Sequence, residues 1–353
     1  MLTQAMTPLS SHLSPLSSLL SPLSSHLNIY IQAASQISIQ QPLSEQWITQ
    51  PIRYAGQPFV KAINPTFRDY IPANEARRMG PVVKRALVTA LKVLQDTAVS
   101  QPDAIITGTS LGALDATEQF LAAMVENGEE TMSPTHFMQS THNTIGSALA
   151  IFTRNHGYNT TYSHGSLSFE LALQDAVMQM QLGNISNALV GAHDEMVDSY
   201  YQLLQKTAGV PPEGTVPYSE TAVSMLLTTA ANDDTLCRLA GLRCFYASSA
   251  ESLKHHIQAL LDHAGITIDD LSVVFTGANG NADNDRYYQT LVDTFSVPVP
   301  LFHYKQLFGE NYSVSALAVY AAAHLLKHAD HKVILILNQM EGCQYALTLL
   351  SRL

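Results

Sequence analysis

Across 353 residues the chain has only three cysteines, Cys237, Cys244 and Cys343, and a single tryptophan. Three thiols without paired metal spacing supply neither a disulfide framework nor a zinc knot, and point to a reducing, cytoplasmic compartment. Cations are scarce as well. The 18 Lys+Arg stand against 29 Asp+Glu, a formal net charge of -11. Nucleic-acid binding rests on clustered positive charge, so that class is excluded. No apolar run reaches the roughly 20 residues that span a bilayer. The 14 histidines are scattered, with no HExxH and no Cys/His ligand spacing. His255, His256 and His263 are expected on a solvated helix, and neither a metal nor an organic cofactor is expected. GTSLG at residues 108–112 lacks the Lys-Ser/Thr of a phosphate loop.

What is present suits a large core: 46% of residues are hydrophobic and 13% charged. Residues 7–27 repeat one heptapeptide three times, as TPLSSHL, SPLSSLL and SPLSSHL. Proline in every copy breaks a helix, and Ser/Leu/Pro repetition offers too little varied apolar surface for a core. Residues 1–27 are therefore expected to be a disordered tail, without the basic start of a secretory signal. The fold is expected to begin at Asn28.

From Asn28 strands and helices alternate, and after Asp233-Asp234 the pattern restarts. This predicts a layered α/β architecture with an N-terminal part over 28–234 and a C-terminal part over 235–353. The stretch His156–Met196 is the clearest. A β-branched strand enters a Ser-His-Gly-Ser turn, and an apolar helix from about Leu167 to Leu182 follows, with Gly183 as its C-cap. Apolar residues on nearly every side of that helix predict burial all round. Ser166 then falls at the helix start, where free amides and the helix dipole favour negative charge.

Several blocks, in order from residue 28 to the C-terminus, resemble the β-ketoacyl-acyl carrier protein synthases, which have the thiolase fold. Arg77-Arg78-Met79 resembles that family's RRM segment. Ile105–Gly112 resembles its strand and GxxxG turn. Ser133-Pro134 with His142-Asn143 resembles the SP…PN loop, and Val190-Gly191-Ala192 the AGG block. Lys305–Ala316 (KQLFGENYSVSA) resembles the KxxxGH motif and the helix after it. The resemblance implies a thiolase-like αβαβα fold with two pseudo-symmetric halves.

It also implies a site whose positions have changed. Counting back from Gly183 and Gly191 sets Ser166 where the family has its nucleophilic cysteine; the alternative register, Ser163, falls short of the helix. Asn279, in NGNADND, stands for the histidine of the HGT motif. Glu310 stands for the histidine of KxxxGH, of which Lys305 persists. Met340 takes the gate position of a closing loop that has lost most of its glycines. In the family the cysteine attacks a thioester and the histidines stabilise an enolate; a serine hydroxyl needs a base to compete, and an ionised Glu310 would repel the developing charge.

The pattern resembles a chain-length factor, the non-condensing paralogue that pairs with an active ketosynthase subunit in type II polyketide systems and works with an acyl carrier protein. That class often has glutamine for the cysteine, so serine is a departure. The alternative is a divergent synthase or acyltransferase using Ser166 as nucleophile with His164 or His303 as base. Glu310 has a plainer reading as a structural ion pair with Lys305. Arg77, Arg78, Lys84 and Arg85 have two readings, a landing patch for an acidic carrier protein or a solvated or partner-pairing face.

Overall fold

The computed structural model describes residues 27–353 except 55, 129–133, 209–215, 248 and 296. The expected tail, up to residue 26, and Ser133 lie outside the described residues. The first series of elements is β1 (Ile29–Ile37), α1 (Ala73–Ala76), α2 (Pro81–Thr97), β2 (Ala104–Gly108), α3 (Leu114–Asn127), α4 (Pro134–Ser140), α5 (Thr144–Thr153), β3 (Tyr158–Tyr162), α6 (Ser168–Gln181), β4 (Asn187–Asp194), α7 (Asp198–Ala208) and β5 (Thr221–Thr228). The second is β6 (Cys237–Tyr246), α8 (Ala250–Ala264), β7 (Val273–Thr276), α9 (Ala282–Val292), β8 (Leu301–His303), α10 (Tyr304–Phe308), α11 (Val314–His328), β9 (Val333–Met340) and β10 (Gln344–Ser351).

All ten strands join in the order β3-β2-β4-β5-β1-β6-β10-β9-β7-β8. Read from each outer edge inward, the two sets of five have the same order: 3-2-4-5-1 and 8-7-9-10-6. Their senses match too. β2 pairs in parallel with β3 and β4, as β7 does with β8 and β9; the remaining pairs are antiparallel. The sets meet where Ile29–Ile31 of β1 pairs with Cys237–Leu239 of β6.

Strand side chains alternate between two cores because successive residues of a strand face opposite ways. Ala104 and Ile106 of β2 join a central cluster with α6 and α11, while Ile105 points to an outer cluster with α2 and α5. In β9, Ile334 and Ile336 face the same central cluster, and Leu335 and Leu337 face an outer one with α8 and α9. Covering both faces with helices explains why these strands are continuous apolar runs. The result is the layered αβαβα thiolase-like fold. Trimming a core residue such as Leu317, fully buried on α11, is expected to cost about 2–5 kcal/mol.

Two local expectations need correction. The helix after Ser166 is not buried all round: Met178 is 48% and Leu182 57% exposed. It lies beside β3, an outer strand of the sheet, so one flank has no neighbouring layer. The four basic residues do not form one patch either, since Arg77 and Arg78 are exposed and Arg85 is buried. Gly80, extended at φ -64° and ψ 165°, separates α1 from a helix that restarts at Pro81.

Candidate functional site

A cleft of about 510 Å³ opens between the two halves. Its lining comes from the segments that leave the carboxyl ends of the strands: Ser110 after β2, Ser166 after β3, Met196 after β4, Asn279 after β7, Lys305 and Glu310 after β8, and Met340 at the end of β9. Open α/β sheets place ligand sites at such ends. Ser166, Asn279, Lys305, Glu310 and Met340, widely separated in sequence, therefore line one cavity.

The second half provides the polar wall. Lys305 Nζ lies 2.8 Å from Glu310 Oε1, and Asn279 Nδ2 donates to Glu310 Oε2 over 2.7 Å. The Glu310 backbone is fixed as well, its N–H donating to the Pro217 carbonyl and its carbonyl accepting from Ser219 N–H. Burial alone would depress the Lys305 ammonium, but Glu310, Tyr288 and Asp285 outweigh it and raise its pKa, so the lysine is charged at neutral pH. Asn279 is oriented by Asp285, whose carboxylate accepts the N–H groups of Asn279 and Gly280. One N–H of the Asn279 amide is thus committed to Glu310, and both oxygens of Glu310 are held.

The first half provides the turn. Ser166 lies two residues ahead of α6, whose N-cap is Leu167, rather than at the helix start. The amides of Leu167 and Ser168 already donate to the carbonyls of His164 and Gly165, and Ser168 Oγ donates to Gly165 O while accepting from His164 N–H. These two amides are not free for an anion. Gly165 has φ +53°, and a Cβ there would lie 2.6 Å from Met340 Sδ, so the turn and the end of β9 pack in direct contact. Among the described residues nothing hydrogen-bonds the Ser166 hydroxyl. The two histidines considered as bases are engaged elsewhere: His164 Nε2 is 2.6 Å from Gln344 Oε1 and His303 Nδ1 is 2.7 Å from Thr276 Oγ1. Neither lines the cleft.

Sequence reasoning missed three carboxylates and an amide. Asn338 Nδ2 donates both to the Ser166 carbonyl (2.6 Å) and to Glu170 Oε1 (3.0 Å). Burial pushes the Glu170 carboxyl up to about 7, against the opposing pull of Ser315 and Asn338. Asp194 accepts from Thr109 Oγ1, from the Ser110 and Leu111 amides and from Ser313 Oγ, tying the β2 loop to the start of α11. Asp285 is the third. A carboxylate inside an apolar helix, as in Phe169-Glu170-Leu171, was the available signal.

The basic residues separate. Arg77 and Arg78 are exposed and Lys84 is half-buried. Arg85 is buried, with its guanidinium 2.9 Å from Glu220 and hydrogen-bonded to Asn64. It cannot belong to a surface patch, because the break at Gly80 turns that position inward.

The strand order, the pair of central helices and a cleft at the strand ends define a thiolase-like protein. The chain belongs to the beta-ketoacyl synthase family: the model of that family's N-terminal domain matches residues 45–273. No curated protein matches the sequence. Among solved structures, the fold is similar to the ishigamide ketosynthase/chain length factor, with TM-score 0.77 and 15% identity over 93% of this chain and 100% of that one. It is also similar to the ketosynthase in complex with its chain length factor from Xenorhabdus doucetiae, with TM-score 0.76 and 14% identity over 93% of this chain and 98% of that one. A type II polyketide ketosynthase in complex with its acyl-carrier protein gives TM-score 0.75 and 12% identity over 93% of this chain and 100% of that one.

Proposed function

We propose that this chain is a non-condensing, ketosynthase-like chain-length factor that pairs with an active β-ketoacyl synthase and shapes the acyl tunnel of a polyketide or fatty-acid-like pathway. The observation that carries the reading is the closed Lys305–Glu310–Asn279 cluster. On the motif register, the positions of the family's two histidines would be filled by a carboxylate and an amide already bonded to each other, with a serine in place of the cysteine and, among the described residues, no base bonded to Ser166. A catalytic trio that acts as a unit loses most of its power when its members are removed. The active partner would carry out the condensation, and Met340 against the Ser166 turn would form part of the tunnel wall.

The free edge of the sheet supports the pairing. Beside β3, Ile151, Tyr158, Met178 and Leu182 are 78%, 39%, 48% and 57% exposed, an apolar rim of the kind that marks interaction sites. Arg77 and Arg78 remain as the exposed part of a carrier-protein patch. Coexpression with a synthase that keeps its cysteine and both histidines, followed by size exclusion, tests the reading. Co-elution is expected, and persistent separate elution overturns it. Mass spectrometry after incubation with an acyl carrier substrate is expected to find no adduct. An adduct abolished by Ser166→Ala would establish the serine acyltransferase instead.

A further inference from the structure

We propose that Glu45, His324 and His328 form a binding site for a divalent transition-metal cation, zinc foremost. His324 and His328 are one turn apart on α11, with their rings stacked 6.0 Å apart at 17°. Glu45 comes from the loop after β1 and sits beside them. His324 Nδ1 lies 3.3 Å from Glu45 Oε1, and His328 Nε2 lies 3.9 Å from Oε2. One ligand atom from each residue falls within 4.8 Å of the others. A tetrahedral ion with bonds of about 2.0–2.1 Å holds its ligands roughly 3.3–3.4 Å apart, so the three groups need to close by no more than about 1.4 Å for all to bind at once.

Burial and donor chemistry point the same way. The His324 side chain is 5% exposed, and neither ring nitrogen has a hydrogen-bond partner, a costly state for a buried imidazole. Glu45 and His328 are half-exposed, so an ion can enter from solvent and complete its coordination with water. Two imidazoles and one carboxylate suit zinc and its transition-metal neighbours; calcium and magnesium prefer all-oxygen shells. The His-x-x-x-His spacing sits inside an apolar helix, and its third ligand lies far upstream, so the sequence reads only as core. The ion would clamp the loop holding Trp47 onto α11. Trp47 packs on Phe308 and Tyr320, and Phe308 belongs to the short helix that bears Lys305.

Tag-free protein, stripped with chelator and titrated with Zn²⁺ by calorimetry, is expected to bind one ion per chain. Glu45→Gln and His328→Ala should each weaken binding at least about tenfold, while His255→Ala, in the distant His255-His256 pair, leaves it unchanged. Both ligand variants alter half-exposed side chains, and circular dichroism checks their folding. Zn²⁺ should also raise the melting temperature of the wild type and not of Glu45→Gln. Binding weaker than roughly 0.1 mM, or losses that follow His255 instead of His328, would overturn the site. This proposal stands apart from the chain-length-factor reading, because no synthase partner enters the measurement.

Discussion

The two sets of five strands share an order and a pattern of senses, yet they close their outer faces and edges differently. In the first half α2 buries a charge, Arg85, against Glu220 and Asn64. In the second half α8 presents only Leu253, Ile257, Leu260 and Leu261 to its core. The first half ends at the five-residue β3 with exposed apolar neighbours, the second at the three-residue β8, where His303 is tied to Thr276. The cleft divides in the same way, with the Ser166 turn from one half and the Asn279, Lys305 and Glu310 wall from the other. The repeated strand order carries the architecture, while the segments leaving the strands diverge because no ladder hydrogen bond constrains them.

The buried charge is where the halves should part most in stability. Arg85→Ala leaves Glu220 desolvated and unpaired, and equilibrium urea unfolding should show a loss of about 3–5 kcal/mol. Replacing both partners, Arg85→Met with Glu220→Gln, should recover much of it. In the second half Leu253→Ala strands no charge and should cost about 2–5 kcal/mol through its cavity alone, with no second change able to rescue it. An Arg85→Ala loss below about 1 kcal/mol would mean that Glu220 rehydrates and the contrast between outer faces has little energetic meaning.

The central helices differ in charge as well. α6 carries Glu170, whose carboxyl is pushed up to about 7 from 4.5, towards the Ser315 face of α11. A folded-state pKa above the unfolded one gives a contribution fully present below about pH 4.5 and lost as pH rises through about 7. Two and a half units correspond to on the order of 3 kcal/mol. Glu195, also raised to about 7 by burial first, adds a slope of the same sign in the same window. Glu170→Gln keeps an acceptor for Asn338 and removes one of these slopes. The variant should therefore gain on the wild type between about pH 5 and pH 8; parallel stability curves would place the Glu170 titration outside that window.

Each half also has a turn glycine beside the cleft. Gly309 has φ +77° and ψ -171°, a region open to glycine almost alone, and a Cβ there would lie 2.6 Å from Ser219 Cβ. Gly309→Ala should cost about 1–3 kcal/mol from the backbone conformation, with the clash in addition. Gly165, at φ +53°, lies in the left-handed region where alanine costs about 1–2 kcal/mol. Its clash is with a movable methionine. Met340→Ala should thus relieve part of the Gly165→Ala loss, whereas no such rescue is expected at Gly309. Additive thermal shifts in the Gly165→Ala/Met340→Ala pair would remove the contact from the account.

Much of this was legible in the sequence because strands buried on both faces must be apolar throughout. The strand–helix pattern expected to restart after Asp233-Asp234 does so with β6 at Cys237. The order of motif blocks located Ser166, Asn279, Lys305 and Glu310, and the ion pair expected for the last two is present. Arg85 was grouped with the surface cations because its partner Glu220 lies far along the chain and meets it only in the fold. Burial all round α6 was misread because composition cannot tell a covered flank from one awaiting a partner. Asn338 and Asp285 were missed since their importance depends on groups brought together only by the closed sheet.

The smallest effect on the folded monomer belongs to the two outer edges, and it separates the halves most directly. Met178→Asp, on the exposed flank of α6, removes no packed contact of the core, so its unfolding free energy should stay within about 0.5 kcal/mol of the wild type. Leu301→Asp, on β8 and 40% exposed, should be equally mild. Association should distinguish them. If β3 and its rim receive the synthase, a carboxylate at Met178 must be buried without a partner and co-elution should be lost, while Leu301→Asp leaves it intact. The reverse pattern would move the interface to the second half. Equal loss in both would mean that neither edge is specific, and the exposed apolar rim would then reflect only the absence of a covering layer.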